Sequence, residues 1–123
     1  MPIDVRIIQA QDFIKSTLEG RLDLEESKKA LNEIALTPAP LVDYEIILDT
    51  RKARSVMSAI DLWYLAAELS RLRETFSRKT AVLCPLEEFD QAEFFALCAK
   101  NRGFQVQAFT SFEDAFEWLI ANG

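Results

Sequence analysis

The stretch Asp43–Phe76 constrains the fold most, because it joins a strongly apolar, β-prone run to the longest amphipathic pattern in the chain. The run Tyr44–Leu48 predicts a buried strand, which ends at Asp49-Thr50, and Arg51–Met57 predicts a short basic turn. From Ser58 onward, apolar residues recur at three- and four-residue steps, on one face of a predicted helix: Leu62, Leu65, Ala66, Leu69, Leu72 and Phe76. Strand, loop and helix in this order form half of a crossover unit, which favours a parallel sheet covered by helices.

The segments on either side predict the order β-β-α-β-α-β-α-β-α. Two short strands, Ile3–Ile8 and Phe13–Leu18, lie close enough to form an antiparallel hairpin. A helix capped by Asp23 follows and is stopped by Thr37-Pro38-Ala39-Pro40. The later segments are a strand Thr80–Cys84, a helix Phe89–Arg102 closed by Gly103, a strand Phe104–Phe109, and a helix capped by Ser111 with Phe112, Ala115, Phe116, Leu119 and Ile120 facing inward.

These elements predict one α/β domain that spans residues 1–123. Helices long enough to cross over follow the third and fourth strands, so the last strands are expected to run parallel with right-handed connections. The first strand is expected at an antiparallel edge. The expected architecture is a five-stranded, mixed and mostly parallel sheet with about four helices.

Absent residue types narrow the function. The chain has no histidine, which is the commonest general base and the commonest metal ligand. Its three glycines form no phosphate-binding loop, so the dinucleotide and Walker motifs are missing. We therefore expect no enzyme activity, no cofactor and no metal site.

Charge and hydropathy bear on location and partners. The net charge of −6 argues against general binding to nucleic acid, which depends on neutralising phosphates. The start Met1–Asp4 is not expected to belong to a secretory signal, and no uncharged apolar run approaches the roughly 20 residues that cross a bilayer. Cys84 and Cys98 are expected as buried free thiols, which fit a reducing compartment. These features predict a cytoplasmic protein without a membrane span.

Asp49 ends the central strand, at the edge where open α/β sheets present ligand-facing residues. Receiver domains have their phosphoacceptor aspartate there, but they also require an acidic cluster after the first strand and a lysine after the last. The chain has Gln9–Asp12 and Thr110-Ser111 at those places. An aspartate that begins a turn commonly accepts hydrogen bonds from nearby backbone N–H groups, and we favour this structural interpretation.

Ser58 has two interpretations. At a helix start on the ligand edge of the sheet it is a candidate phosphoacceptor, since free N–H groups and the helix dipole would hold a phosphate. Ser58 and Asp61 also form a capping pair, which Ser111 and Asp114 repeat at the last helix. The capping interpretation accounts for both serines and is favoured.

A local excess of positive charge surrounds the predicted turn. Residues 51–79 contain seven basic and three acidic residues, whereas the rest of the chain has a net charge of −10. Arg51, Lys52 and Arg54 begin this segment. They predict a surface for an acidic partner, a phosphate or an anionic head group, although solvated helix flanks often produce the same excess.

Trp63 and Tyr64 lie off the main apolar stripe of their helix. With Ile60 they predict an exposed aromatic patch that binds a partner or a second copy of the chain. The alternative is that this helix is covered on two sides.

Three local features carry a resemblance to a known family. One is the strand Tyr44–Asp49, followed nine residues later by a helix that begins at a serine. The second is the basic-led strand Lys79–Cys84. The third is the ending in which Phe109 precedes Ala115 and then Trp118-Leu119. With the element order, these resemble the SpoIIAA-like fold of bacterial anti-sigma-factor antagonists (STAS domains) and of small bacterial proteins of unassigned role, to which CRAL-TRIO lipid-exchange domains are related in architecture.

The resemblance implies a non-catalytic binding module. In the antagonists, an aspartate-serine-rich turn followed by a glycine opens the helix, and a partner kinase phosphorylates one serine. The matching stretch here is Val56–Ile60, in which both the aspartate and the glycine are absent. Ser58 is the nearest counterpart of the phosphoacceptor, with Ala59 as the alternative position.

Two functions remain open at this point. The first is a regulatory module that binds an unidentified protein through the Arg51–Tyr64 surface, with a homodimer as one possibility. The second is a carrier or sensor of a small apolar or anionic, lipid-like ligand, held between the helix that begins at Ser58 and the sheet.

Overall fold

The computed structural model describes residues 4–10, 13–36 and 45–121. Within these ranges the predicted element order is confirmed. The strands are β1 (Asp4–Ala10), β2 (Phe13–Leu22), β3 (Glu45–Ser55), β4 (Thr80–Leu83) and β5 (Val106–Phe109). The helices are α1 (Leu24–Leu36), α2 (Ala59–Arg71), α3 (Phe89–Lys100) and α4 (Phe112–Ile120), with a short 3-10 turn at Leu86–Glu88. The predictions for Ile3, Thr37–Pro40 and Tyr44 lie outside the described residues.

The strands form one five-stranded sheet in the order β1-β2-β3-β4-β5. The antiparallel pairing of β1 with β2 and the parallel pairings of β3 with β4 and of β4 with β5 are as predicted. β2 also pairs with β3 in parallel. β3 is therefore the central strand. Its residues Ile46–Leu48 are all buried. Because side chains alternate along a strand, Ile46 and Leu48 pack in the cluster with α1, α2 and α3, whereas Ile47 packs against α4 on the other face.

The predicted turn at Arg51–Met57 is wrong over most of its length, because β3 continues to Ser55. β4 pairs with β3 only over Ile46–Asp49. Beyond that point β2 remains as a partner and itself continues to Leu22, past its predicted end, after a register shift between Thr17 and Glu19. The basic residues therefore lie on a two-stranded extension of the sheet, which we call the basic ribbon (residues 19–22 and 51–55).

Two further predictions fail at the ends of helices. α2 ends at Arg71, and Phe76 lies in the turn that follows, where its side chain is 1% exposed. Phe76 is therefore buried, as the apolar spacing predicted, although the helix has already ended at Arg71. Ile120, predicted to face inward, is 61% exposed, because the cluster beneath α4 is small and is filled by Ala115 and Leu119.

The predicted caps are confirmed. The backbone N–H of Glu26 donates to Oδ1 of Asp23 at 2.8 Å, and the N–H of Asp114 donates to Oγ of Ser111 at 3.4 Å. After α3, Gly103 has a φ of +92°, a conformation that L side chains rarely adopt. Each of these ends fixes where a helix meets the sheet.

We expect Phe76→Ala to lower the free energy of unfolding by about 3–5 kcal/mol, because it leaves a cavity under the turn after α2. Urea unfolding followed by tryptophan fluorescence measures the change. Phe94→Ala in α3 is the matched control, since Phe94 is 37% exposed. Equal losses in the two variants would contradict the buried position of Phe76.

Candidate functional site

The carboxyl edge of β3 contains a buried carboxylate, Asp49, that is 4% exposed. Nε and Nη2 of Arg51 donate to its two oxygens at 3.0 and 2.9 Å, and the backbone N–H of Arg51 donates to Oδ1 at 3.1 Å. Nζ of Lys15 lies 3.4 Å from Oδ2. This geometry agrees with the structural interpretation of Asp49.

The electrostatics of Asp49 follow from these contacts. Burial alone would raise the pKa of Asp49, but the hydrogen bonds and positive charge of Arg51, together with Lys15, hold it below 3.8. The contact with Asp49 raises the pKa of Arg51 in turn. Arg51 is therefore held mainly as the counter-ion of a buried carboxylate.

Structural contacts also occupy most of the other basic residues in the positive segment. Arg71 pairs with Glu68 at 3.0 Å and Arg78 with Glu45 at 2.9 Å. Nζ of Lys79 donates to two carbonyls near the end of α4, those of Trp118 and Ala121, at 2.9 and 2.7 Å. Arg73 lies over the ring of Phe104. The local charge excess thus arises largely from residues that join elements of the fold.

Lys52 and Arg54 are the exposed basic residues of β3 that remain. Arg21, paired in register with Arg54, joins them from β2. Lys52 lies 3.6 Å from Glu19, in an exposed ion pair that contributes little to stability. With Val56, the three basic residues line a concave surface whose other wall holds Pro85, Glu87 and Glu88. Sequence reasoning missed Arg21 because β2 was expected to end before it.

Ser58 is exposed and forms the complete capping pair of α2. Its Oγ accepts from the N–H of Asp61 at 3.2 Å, and its own N–H donates to Oδ2 of Asp61 at 3.1 Å. The favoured capping interpretation is confirmed. The hydroxyl stays accessible at the surface, so a role as phosphoacceptor remains a prediction.

Trp63 and Tyr64 are 47% and 50% exposed, as an aromatic patch requires. Their rings meet edge to face at a centroid distance of 5.2 Å, and the guanidinium of Arg102 lies 5.0 Å above the Trp63 ring. Ile60 and Phe94 line the same shallow groove. We call Ile60, Trp63, Tyr64 and Phe94 the aromatic face. The predicted Arg51–Tyr64 surface therefore comprises two concave surfaces, the basic ribbon and the aromatic face.

A cavity of about 80 Å³ lies between the sheet and helices α1, α2 and α3. Its wall is almost entirely apolar, but it includes Ser27 of α1 and Gln91 of α3. Sequence reasoning identified neither residue. The signal was present for Ser27, because it occupies a polar position in the apolar stripe formed with Leu24, Leu31 and Ile34.

Cys84, at the end of β4, also lines this cavity. Burial, with a smaller effect from the negative charges of Glu88 and Glu87, raises the pKa of its thiol to about 11. Its Sγ donates to the carbonyl of Phe109 at 3.5 Å. Cys84 and Cys98 are buried free thiols, as predicted. A neutral thiol of this kind is a poor nucleophile and a poor metal ligand.

Comparison with known proteins decides the fold. No protein-family model and no curated protein matches the sequence. An anti-sigma factor antagonist from Mycobacterium paratuberculosis matches in structure with a TM-score of 0.62 and 15% identity, over 97% of this chain and 95% of that one. An uncharacterized DUF3478-family protein from Shewanella loihica PV-4, which has a SpoIIAA-like fold, matches with a TM-score of 0.54 and 20% identity, over 96% and 94% of the two chains.

The chain has a SpoIIAA-like fold. At these identities the likeness concerns architecture, so each candidate site depends on this chain's own residues. In the described parts of this SpoIIAA-like domain, no helix is long and apolar enough to span a membrane.

We expect Asp49→Asn to destabilise the SpoIIAA-like domain by about 2 kcal/mol near neutral pH, because Arg51 and Lys15 lose their buried counter-ion. The folded-state pKa of Asp49 is below its ordinary 3.8, so the carboxylate's contribution is present above that value and is lost as pH falls through the folded pKa. The stability gap between wild type and variant should therefore narrow in acid.

Urea unfolding of both proteins at about pH 7 and about pH 3 measures this gap. Glu93→Gln, at an exposed site in α3, is the control and should change stability by less than about 0.5 kcal/mol. A gap of constant size at both pH values would contradict an ionised, charge-stabilised Asp49.

Proposed function

We propose that this chain is a non-catalytic regulatory module that binds a protein through the aromatic face and the basic ribbon. The observation that carries the proposal is the exposure of two aromatic rings on α2, beside the exposed side chains of Ile60 and Phe94. Apolar groups clustered in this way usually mark a contact surface, and Trp and Tyr often dominate the energy of such contacts. The anti-sigma factor antagonist with the same fold supports a regulatory role.

Charge identifies the kind of partner. Lys52, Arg54 and Arg21 are exposed on the basic ribbon, within a chain whose net charge is −6. These three side chains form the cationic wall of a concave surface whose other wall holds Glu87 and Glu88, and this wall fits acidic residues of a partner. The aromatic face fits an apolar pocket or ridge. The proposed partner is therefore a protein with an apolar contact bordered by carboxylates. A second copy of this chain is the alternative occupant.

Phosphorylation of Ser58 is the proposed means of regulation. The hydroxyl is exposed at the N-terminus of α2, whose first turn leads to Ile60 and Trp63. A phosphate there would add about two negative charges beside the aromatic face and would be stabilised by the helix dipole. It would repel the acidic border of the proposed partner.

We expect Lys52→Glu combined with Arg54→Glu to weaken partner capture at least about tenfold, because charge reversal replaces attraction by repulsion. Arg51 is left unchanged, since its reversal would disturb Asp49. A photo-reactive benzoylphenylalanine in place of Tyr64 reports the contact by cross-linking in cells of the source organism. The matched double reversal Lys29→Glu and Lys100→Glu lies on exposed helix positions and should leave capture unchanged.

A cross-link that survives reversal of Lys52 and Arg54, or that forms equally from a probe at Leu36, would refute the proposed surface. A product of twice the chain's mass identifies the second copy as occupant.

We expect Ser58→Asp to reduce capture, while Ser58→Asn leaves it intact. Both residues are good N-caps, so both keep α2 stable, but only aspartate carries the charge of a phosphate mimic. The same cross-linking assay measures capture, and circular dichroism checks that the two variants have equal stability. Equal capture by both variants would argue against a phosphate-controlled switch at Ser58.

A second candidate function is the carrier or sensor of a small ligand, and the apolar cavity beneath α2 is the observation that favours it. Native mass spectrometry of protein from the source organism tests this function, because a carrier retains its ligand as a defined added mass.

A further inference from the structure

The cavity beneath α2 has an apolar wall with very few polar groups. It is bounded by β2, β3 and β4 on one side and by α1, α2 and α3 on the other. Leu31, Leu62, Leu65, Val82 and Phe95 contribute much of the wall. Such a space takes up apolar groups and excludes ions that have no counter-charge.

Two polar atoms in this wall have no partner. Four buried side-chain oxygen atoms in the described residues lack a hydrogen bond, and two of them belong to residues that line this cavity. They are Oγ of Ser27, a residue that is 5% exposed, and Oε1 of Gln91. Buried polar groups are nearly always hydrogen-bonded. Their concentration in one cavity indicates a missing polar partner there.

The two atoms specify what that partner carries. Oε1 of Gln91 is a carbonyl oxygen and only accepts a hydrogen bond, whereas the Ser27 hydroxyl both donates and accepts. A hydroxyl group on a ligand can pair with either atom, because it can donate to Gln91 and can accept from Ser27. A ketone or an ether has no donor for Gln91.

Charge around the cavity disfavours an anion. Among the described residues that line it there is no lysine or arginine, and the one ionisable carboxylate is that of Glu88. Glu88 lines the cavity together with the Cys84 thiol, so its negative charge lies close to any group bound inside. A carboxylate or phosphate would therefore enter against repulsion and without a counter-ion.

The volume of the cavity and the position of its opening limit the size of the ligand's apolar body. A cavity of about 150 Å³ holds benzene, so a space of about 80 Å³ holds roughly three or four non-hydrogen atoms. Five lining residues are only half buried and mark the side of the opening: Thr50, Ser55, Met57, Glu88 and Gln91. A longer apolar chain would extend through this opening.

We infer that the cavity binds a neutral alcohol with a short or branched apolar body, whose hydroxyl donates to Gln91 Oε1 or accepts from the Ser27 hydroxyl. The inference rests on the second candidate function and names its ligand class. It selects the apolar over the anionic class of ligand.

Titration with 1-propanol and 1-chloropropane, monitored by the amide NMR shifts of cavity residues, tests the inference. The two probes share a carbon chain and differ in the hydroxyl. We expect wild-type protein to bind the alcohol at least about tenfold more tightly, because the chloride leaves both polar atoms unpaired.

Ser27→Ala combined with Gln91→Leu should bring the two affinities within about twofold of each other. Ser70→Ala on α2, outside the cavity lining, is the matched control and should keep the wild-type preference. Thermal unfolding confirms that each variant is folded.

Equal affinity for both probes in wild type, or no saturable shift with either, would overturn the inference; the second result would mean that water alone occupies the cavity. These outcomes are separable from failure of the carrier function. If 1-propanol binds but protein from the source organism retains no small molecule, the alcohol site is supported and the carrier function is contradicted. A retained anion would support the carrier function and overturn the alcohol.

Discussion

Burial of β3 on both faces is the constraint on which the rest of the structure depends. Ile46 and Leu48 point to one side and Ile47 to the other, so a single layer of helices cannot cover the strand. Parallel neighbours require crossover connections, and these supply helices for both faces. Three helices cover one face and α4 the other. The unequal division leaves room for a cavity on the thicker side, where α1, α2 and α3 must all pack against one sheet.

Local chemistry made much of this predictable. The caps at Asp23, Ser58 and Ser111 depend on contacts within three residues, so their sequence patterns were sufficient. The end of β3 was not predictable in the same way. Whether Arg51–Ser55 is a turn or a strand depends on β2, about 30 residues earlier in the chain, continuing as a partner. A strand rich in charged residues is difficult to recognise from sequence, because its stability comes from pairing with a neighbouring strand rather than from β-propensity.

The candidate sites show a similar division. Exposure of Trp63 and Tyr64 followed from their place off the apolar stripe. The role of Arg51 did not, since it required knowing that Asp49 is buried and needs a counter-ion. The cavity could not be predicted from the sequence, because the volume left between several helices depends on how they pack together. The hydrophobic periodicity of one helix does not determine that volume. Ser27, a polar residue within the apolar stripe of α1, was a sequence feature that could have indicated the cavity but was not recognised.

The basic ribbon also has a consequence for how copies of this chain behave in a crowded solution. Past Asp49, β3 no longer pairs with β4, so one side of its backbone has no paired strand among the described residues. An unpaired strand edge of this kind can pair with a strand of another molecule, and such pairing leads to aggregation. Glu88 accepts from the N–H of Ser55 there, with oxygen distances of 3.2 and 3.3 Å, and so occupies one of the free donors. Lys52 and Arg54 give this strand a positive charge, which repels the same strand of a second copy. An acidic segment of another molecule is not repelled and can pair with this edge.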